Sequence, residues 1–338
     1  MRALVLSAPN QLALADVAEP RVEHGEALVR VERIGLCGTD VKLFSGAIPI
    51  AYPRVLGHEI VGRIVEAPGS TALEPGDRVV LDPNTSCGIC FHCRVGQEHL
   101  CPNGQLIGRD RDGGLAELVV APARNCHQLP AAIDDDLGPV IQVFATVIHA
   151  HRRVDVFPGQ SIAVIGLGVT GQLHVQMAKA RGAHPVIGIT RSEAKRQLAE
   201  ELGADVTLAA DGDAAALVRE ATAGRGADLV IEAVGSPASV AMAVDAARIG
   251  GMLLGFGIGT GFADQVRLYD LYYKELDWIS SRATKGEDFA AGIDYARRGV
   301  VRLAPLVTRS VPFTDTPEAL LQLSEAGGGL MKLVIAIA

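Results

Sequence analysis

The fold is decided by the stretch SIAVIGLGVTG at residues 161–171. An apolar run is followed at once by the spacing Gly-x-Gly-x-x-Gly, and residues 170–181 then have helical periodicity. A second apolar run at residues 185–189 closes a strand–helix–strand unit of about thirty residues. In this context the glycines predict a tight turn that lets the backbone approach a dinucleotide pyrophosphate at a helix N terminus. The alternative is a glycine turn in an α/β sheet that binds no nucleotide. The predicted binding turn comprises Gly166, Gly168, Val169, Thr170 and Gly171.

The same alternation continues along the chain. Further apolar runs and helix-period segments alternate at residues 192–202, 214–223, 228–233 and 252–256. Such alternation predicts a parallel, doubly wound sheet. Residues 1–146 differ, because short alternating stretches such as 27–31 are interrupted by Pro or Gly about every ten residues, which predicts a β-barrel or sandwich. A helical segment at 288–298 and a strand at 331–337 follow, and periodicity assigns them to neither half.

The composition predicts two domains and no nucleic-acid partner. The chain has 338 residues, of which 49% are apolar and 21% charged, close to average globular usage. Lys and Arg number 31 against 39 Asp and Glu, and the formal charge of −8 disfavours binding to phosphate backbones. The first residues lack a signal-peptide core, and no apolar run reaches the roughly 18 residues of a membrane helix. We therefore expect a cytoplasmic protein without a membrane partner, in which clustered cysteines favour metal binding or catalysis.

Four cysteines form the pattern Cys-x2-Cys-x2-Cys-x7-Cys, namely Cys87, Cys90, Cys93 and Cys101. Four thiolates at such spacings predict a closed, tetrahedral Zn²⁺ site with a structural role. An iron–sulfur cluster is the alternative, although the bacterial ferredoxin run has a last gap of three residues instead of seven. Unmetallated or redox-active thiols are the remaining possibility.

A lone cysteine, Cys37, and a lone histidine, His58, each lie in a glycine-flanked segment. Taken singly they predict a buried thiol and a hydrogen-bonded core histidine. Together, and followed by the four-cysteine lobe and the glycine turn, they make the whole chain resemble the zinc-dependent medium-chain dehydrogenase/reductase family of alcohol and polyol dehydrogenases. The resemblance implies a GroES-like β-barrel catalytic domain over residues 1–146 and 287–338, interrupted by a Rossmann domain over residues 147–286. It also implies an active site in the cleft between them and a homodimer or homotetramer.

The resemblance further implies a catalytic zinc ion held by Cys37, His58 and a third side chain. The polyol branch of the family has glutamate as that third ligand, whereas the matching position here is Gln142. A neutral amide is a weaker zinc ligand than a carboxylate. Glu59, next to His58, is the alternative ligand. Thr39 matches the hydroxyl that receives the substrate proton in the family.

The choice of coenzyme depends on residues after the second predicted strand of the nucleotide domain. An NAD-specific site has an acidic residue there, but this chain has Thr190, Arg191 and Ser192, with Lys195 one turn further. Arg191 and Ser192 can bind a 2′-phosphate, so we predict NADP in preference to NAD. The alternative is a solvated Arg191 and use of NAD. The resemblance adds coenzyme-contacting residues in strand-end loops and the last strand: Val234, Gly235, Phe256, Gly257, Ser281, Arg282 and Lys332.

The predicted function is hydride transfer between NAD(P) and a small alcohol or carbonyl compound, with zinc activating the substrate oxygen. The stretch Q-x-x-A-T-x-x-H-A at residues 142–150 favours a polyol, sugar-alcohol or sugar-acid substrate over other secondary alcohols. Two alternatives follow from Gln142. One is a zinc-independent reductase of quinones or enones with the same fold, and the other is a nucleotide-binding sensor without turnover.

Overall fold

A computed structural model describes residues 1–211, 213–259, 261–325 and 329–337. None of the helices in these ranges has the length and apolar character needed to cross a membrane. The first part of the chain contains β1 (Arg2–Ala8), β2 (Gln11–Asp16), β3 (Glu26–Leu36), α1 (Gly38–Phe44), β4 (Arg54–Val55), β5 (Glu59–Glu66), β6 (Arg78–Leu81), β7 (Asn84–Thr85), α2 (Phe91–Arg94), β8 (Gln105–Leu106), β9 (Leu118–Pro122) and β10 (Cys126–Gln128). The long helix α3 (Gly138–Arg152) follows.

The second part contains β11 (Ile162–Ile165), α4 (Val169–Ala180), β12 (Val186–Ile189), α5 (Glu193–Glu201), β13 (Val206–Leu208), α6 (Ala214–Ala221), β14 (Ala227–Glu232), α7 (Pro237–Ala246), β15 (Ala247–Gly255), α8 (Leu268–Tyr273) and β16 (Asp277–Ser280). The chain closes with α9 (Gly286–Arg297), β17 (Val307–Pro312), α10 (Thr316–Glu325) and β18 (Lys332–Ala336).

The second part forms a six-stranded sheet in the order β13-β12-β11-β14-β15-β16, with every neighbouring pair parallel. Numbered within the sheet, this order is 3-2-1-4-5-6, the doubly wound arrangement that binds dinucleotides. The predicted α/β fold with a parallel, doubly wound sheet is therefore confirmed. The chain reverses its direction of winding between β11 and β14, and ligands of such sheets bind at the carboxyl ends of the strands near that point.

The first part is built around the sheet β10-β6-β5-β3-β18-β17, in which β9 also pairs with β3. Strand β18 runs antiparallel to β3, with Leu333 opposite Leu36. The last two strands of the chain thus extend the sheet of the first part, a pairing that periodicity alone did not determine. The buried helix α3 packs against β3 and β5 and against α9, with Phe144, Ile148 and Phe289 in one core cluster. The predicted boundaries at residues 146 and 287 stay a prediction.

His127 on β10 stacks on Phe289 of α9, with ring centroids 4.4 Å apart and an interplanar angle of 6°. Burial lowers the pKa of His127 to about 4. Its Nε2 has no hydrogen-bond partner among the described residues. An unfolded histidine titrates near pH 6.5, so the unfolded chain binds more protons than the folded chain between about pH 6.5 and 4. Stability is therefore lost as the pH falls through this window.

We expect the substitution His127→Phe to remove this proton linkage while keeping a ring against Phe289. The decrease in the free energy of unfolding between pH 7.5 and pH 5.0 should then be smaller by about 2 kcal/mol than in the wild type. Urea unfolding followed by circular dichroism at both pH values measures it. The matched control is His24→Phe at an exposed histidine, which should leave the pH dependence unchanged. An identical pH dependence in wild type and His127→Phe would contradict the expectation.

Candidate metal and nucleotide sites

The four-cysteine lobe brings its thiols together as the spacing predicts. The Sγ atoms of Cys90 and Cys93 lie 3.5 Å apart, those of Cys90 and Cys101 3.8 Å, and those of Cys101 and Cys87 3.5 Å. Tetrahedral zinc with bonds of about 2.3 Å to sulfur requires sulfur–sulfur distances of about 3.8 Å. Backbone amides of Ile89 and Cys90 lower the pKa of the Cys87 thiol to about 6. The four thiols therefore fit a Zn²⁺ ion.

Without a metal the lobe has little to hold it together. Helix α2 has no buried residue, and Ile89 and Phe91 are largely exposed. Since four sulfur ligands complete the tetrahedral coordination of zinc, such an ion has no open position for a substrate. The geometry suits a structural role for this lobe.

A second cluster contains Cys37, His58 and Glu59, whose ligand atoms all lie within 4.8 Å of one another. The pairing of β3 with β5 creates it, because Gly35 lies opposite Glu59 in the ladder. Cys37 follows β3 directly and is the N-cap of α1, while His58 directly precedes β5. Thiolate, imidazole and carboxylate are all zinc ligands, and His58 and Glu59 are buried.

Asp40 orients this cluster and was not singled out in the sequence. Its carboxylate is fully buried; Oδ2 accepts a hydrogen bond of 2.9 Å from the backbone N–H of Cys37, and Oδ1 lies 3.3 Å from His58 Nδ1. Burial lowers the pKa of His58, but the negative charge of the nearby Asp40, aided by Cys37, raises it well above its usual value. With Nδ1 facing Asp40, Nε2 is the ring nitrogen available to a metal. The sequence feature that could have indicated Asp40 is an acidic residue in the first turn of a helix that follows a candidate metal ligand, Cys37.

The glycine turn has the geometry expected of a pyrophosphate site. Gly166 has φ of +93°, which favours glycine, and a methyl group at Gly171 would collide with the carbonyl oxygen of Gly166. Gly168 is the N-cap of α4, and no side chain caps that helix. The first amides of the helix, including those of Val169 and Thr170, are thus available to an anion.

The loops after β14 and β15 are packed backbone to backbone. Glu232 Oε1 accepts hydrogen bonds from the amides of Val234 at 2.8 Å and Gly235 at 2.9 Å. A methyl group at Gly257 would collide with the backbone of both those residues. A cavity of about 250 Å³ opens beside these loops, and its lining includes Gly235, Phe256, Gly257 and Ser281. Arg282 is exposed in the next loop.

The residues after β12 lie at the adjacent strand end. Ser192 is the N-cap of α5. Arg196 Nη1 donates to the carbonyl oxygens of Thr190 at 3.0 Å and Arg191 at 3.2 Å, which fixes the backbone of the turn. The Arg191 side chain is exposed, and burial lowers the pKa of Lys195.

Two family models match the chain. The alcohol dehydrogenase GroES-like domain matches residues 23–131, and the zinc-binding dehydrogenase model matches residues 169–298. Sorbitol dehydrogenase of Halalkalibacterium halodurans is 30% identical over 94% of this chain and 95% of its own length. L-galactonate-5-dehydrogenase of Escherichia coli is 32% identical over 94% of each chain. The chain belongs to the zinc-dependent medium-chain dehydrogenase/reductase family.

A solved structure of a family member superposes closely on this chain. A putative zinc-binding dehydrogenase from Sinorhizobium meliloti, crystallised with NADP, superposes with a TM-score of 0.91 at 31% identity and covers 99% of each chain. These matches confirm the predicted GroES-like and Rossmann architecture and the predicted class of zinc- and nicotinamide-dependent alcohol oxidoreductase. Small-molecule alcohols are the corresponding substrates.

In this chain, Lys332 lies next to the cluster of Cys37, His58 and Glu59. The prediction from the resemblance was that Lys332 contacts the coenzyme phosphates. The structure places its buried ammonium 2.6 Å from Glu59 Oε1 and 3.0 Å from the carbonyl oxygen of Leu36, and the phosphate contact stays a prediction. The register of β18 on β3 brings it there. Burial lowers the pKa of Lys332, but the charge and hydrogen bond of Glu59, together with the charges of Cys37 and Asp40, raise it. A phosphate contact would require this ion pair to open.

The side chains of Gln142 and Thr39 form no hydrogen bond to any residue that the structure describes. Gln142 is 6% exposed on α3, the helix that packs against β3 and β5. Thr39 is half-buried in the first turn of α1, two residues after Cys37. Both side chains are therefore available to a ligand bound next to β3 and β5, the strands that adjoin Cys37 and His58.

Proposed function

We propose that the chain oxidises a secondary hydroxyl of a polyol or sugar acid, or reduces the corresponding ketone. The observation that carries the proposal is the cluster of Cys37, His58 and Glu59, oriented by a buried aspartate. Two relatives support the substrate class, since one is named for sorbitol and the other for L-galactonate. The stretch at residues 142–150 favours the same class.

A panel of polyols, sugar acids, secondary alcohols, quinones and enones tests this proposal with each coenzyme. The readout is the absorbance of the reduced nicotinamide. Turnover of polyols or sugar acids is expected. Turnover of quinones or enones alone would identify a zinc-independent reductase, and coenzyme binding without any turnover would identify a sensor. Either result would contradict the proposal.

The residues of the second cluster fit zinc, and each has a role that follows from its contacts. Cys37 and His58 would hold the ion, with Gln142 or Glu59 as a further ligand. When bound, zinc lowers the pKa of a substrate hydroxyl and the nicotinamide accepts the hydride. Asp40 keeps His58 in the ligating orientation, and the Thr39 hydroxyl receives the substrate proton and passes it outward.

Gln142 makes the charge of this metal site unusual. Thiolate, neutral imidazole and neutral amide carry a single negative charge, so the site with Zn²⁺ has a net charge near +1. Glu59 is not a free substitute, since Lys332 occupies its Oε1, although its Oε2 has no partner among the described residues.

We expect Gln142→Glu to raise the zinc affinity of this site by at least about tenfold, because a carboxylate adds a negative charge to the ligand set. Competition with a chromophoric chelator measures the affinity, with the four-cysteine lobe as the internal reference in the same molecule. Gln142→Ala is the matched control and should weaken binding. Equal affinity of wild type and Gln142→Glu would show that residue 142 does not face the metal.

We propose NADP as the preferred coenzyme. An exposed Arg191 and the hydroxyl of Ser192 lie at the end of β12, where an acidic residue would repel a 2′-phosphate, and Lys195 lies one turn further. The Arg196 contacts support the proposal, because they fix the backbone that carries Arg191.

We expect a higher kcat/KM with NADP than with NAD in the wild type. Arg191→Ala should lower kcat/KM for NADP by about tenfold and leave the value for NAD within about twofold, because a charge-assisted contact to phosphate is lost. Arg225→Ala is the matched control, since Arg225 is exposed on the loop before β14, at the amino end of the strand. A tenfold preference of the wild type for NAD would refute this expectation.

We propose a homodimer formed through β16, either alone or as half of a homotetramer. Strand β16 is an edge of the parallel sheet, and an unpaired edge is a template for pairing with a second chain. Large exposed apolar side chains lie on β16 and in the segment that precedes it: Phe262 at 91%, Leu268 at 79%, Tyr272 at 81% and Trp278 at 44%. Such a patch favours association. Sedimentation equilibrium tests this arrangement.

We also propose domain boundaries near residues 146 and 287, in keeping with the pairing of β18 with β3.

A further inference from the structure

One hydrogen bond joins the helix that follows Cys37 to the loop after β15. We call this the nicotinamide-side loop, because the family resemblance implies that its residues Phe256 and Gly257 contact the coenzyme. Lys42 Nζ donates to the carbonyl oxygen of Ile258 at 3.3 Å, although the residues are 216 positions apart in sequence. Lys42 lies in the last turn of α1, the helix whose N-cap is Cys37. Ile258 lies in the loop after β15. The contact therefore connects the helix that follows Cys37 with a loop that lines the cavity of about 250 Å³.

The lysine end of this hydrogen bond is rigidly related to the metal ligands. Helix α1 is seven residues long, and its first turn is fixed by Asp40, which binds the Cys37 amide and faces His58. The backbone carbonyl of Lys42 accepts hydrogen bonds from the Ile48 amide and the Ser45 hydroxyl. The backbone of Lys42 is thus fixed relative to the Cys37 end of the helix, and its side chain extends from that fixed point to Ile258.

The loop end is equally well anchored. The amides of Phe256 and Gly257 both donate to the carbonyl oxygen of Glu232, at 2.9 and 2.8 Å. The Phe256 ring packs edge-on against the buried ring of His174, with centroids 4.7 Å apart. A methyl group at Gly235 would lie 2.6 Å from the carbonyl carbon of Ile258. The carbonyl that Lys42 binds is therefore held by the sheet of the second part.

We propose that Lys42 is a positioning residue that sets the separation between the metal cluster and the nicotinamide-side loop. This inference rests on the proposed dehydrogenase function. A lysine ammonium has three donors and no acceptor, which suits it to bind a carbonyl and makes it a poor relay for a substrate proton. Hydride transfer is sensitive to the distance between donor and acceptor, and a misplacement of 1 Å can cost about a hundredfold in rate.

The kinetic test compares Lys42→Met, which keeps the alkyl stem, with Lys42→Arg, which keeps the charged donor. We expect Lys42→Met to lower kcat about tenfold and to raise the primary isotope effect with a deuterated substrate, because hydride transfer becomes slower. Lys42→Arg should stay within about twofold of the wild type. The pH dependence of kcat should keep its midpoint in both variants. If the midpoint is shifted in Lys42→Met and is not restored in Lys42→Arg, Lys42 takes part in proton transfer and the proposal is overturned. An unchanged kcat in Lys42→Met would also overturn it.

A second measurement needs no turnover. Hydrogen exchange of the Phe256 and Gly257 amides, in zinc-loaded protein without substrate, should be several-fold faster in Lys42→Met than in the wild type and in Lys42→Arg. Equal exchange in all three proteins would overturn the proposal. A chain that oxidises no polyol but shows the faster exchange would contradict the proposed substrate class and leave the role of Lys42 standing.

Discussion

Replacing Cys37 with serine is expected to reduce the zinc content from two ions to one per chain and to lower kcat by at least about a thousandfold. The four-cysteine lobe is unaffected by the change and keeps its ion. The loss at the second cluster follows because a serine hydroxyl does not supply the thiolate that zinc prefers. The size of the rate effect follows because a Lewis acid contributes several kcal/mol of charge stabilisation, and each 1.36 kcal/mol is a factor of ten.

Cys126→Ser is the matched control for this experiment. Cys126 is buried, its Sγ lies 3.8 Å from the carbonyl oxygen of Pro122, and burial raises the pKa of its thiol to about 12. It therefore stays a neutral thiol in a core, where a hydroxyl costs some stability but changes no metal site. Elemental analysis should find two zinc ions per chain in Cys126→Ser. Two ions and full activity in Cys37→Ser would remove the catalytic role from this cluster.

The parts that sequence predicts well are those whose geometry is local. The four cysteines lie within one short segment, so their spacing alone predicts a tetrahedral site. The glycine turn between β11 and α4 is local in the same way, because its positive φ is at Gly166 and its close backbone approach is at Gly171, five positions further on. Cys37 and His58 become adjacent through one strand pairing, that of β3 with β5. The glycines that flank both residues in the sequence already indicated that they are unusual positions.

The parts that sequence does not predict depend on distant pairing. Lys332 reaches Glu59 only because β18 joins β3 across about three hundred residues, and periodicity contains no information on that partner. Strands β13 and β16 were not predicted, since they have three and four residues and lack a buried apolar run. The partners of Asp40 were likewise invisible, because a single aspartate has no pattern until the fold places it beside His58.

Thr39→Val is expected to lower kcat by about a hundredfold while leaving the dissociation constant of the coenzyme within about twofold of the wild-type value. Valine has nearly the shape of threonine but no hydroxyl, and a positioned proton acceptor contributes about a hundredfold or more to catalysis. Thr39 lies in the first turn of α1, two residues after Cys37, and its hydroxyl has no hydrogen-bond partner in the described parts of the chain, so no protein group there competes with the substrate oxygen for it. Thr39→Ser keeps the hydroxyl and should recover most of the rate. Fluorescence titration with NADPH measures coenzyme binding separately from turnover. A kcat for Thr39→Val within about twofold of the wild type would exclude the proton-transfer role, because valine has no hydroxyl that could pass on the substrate proton.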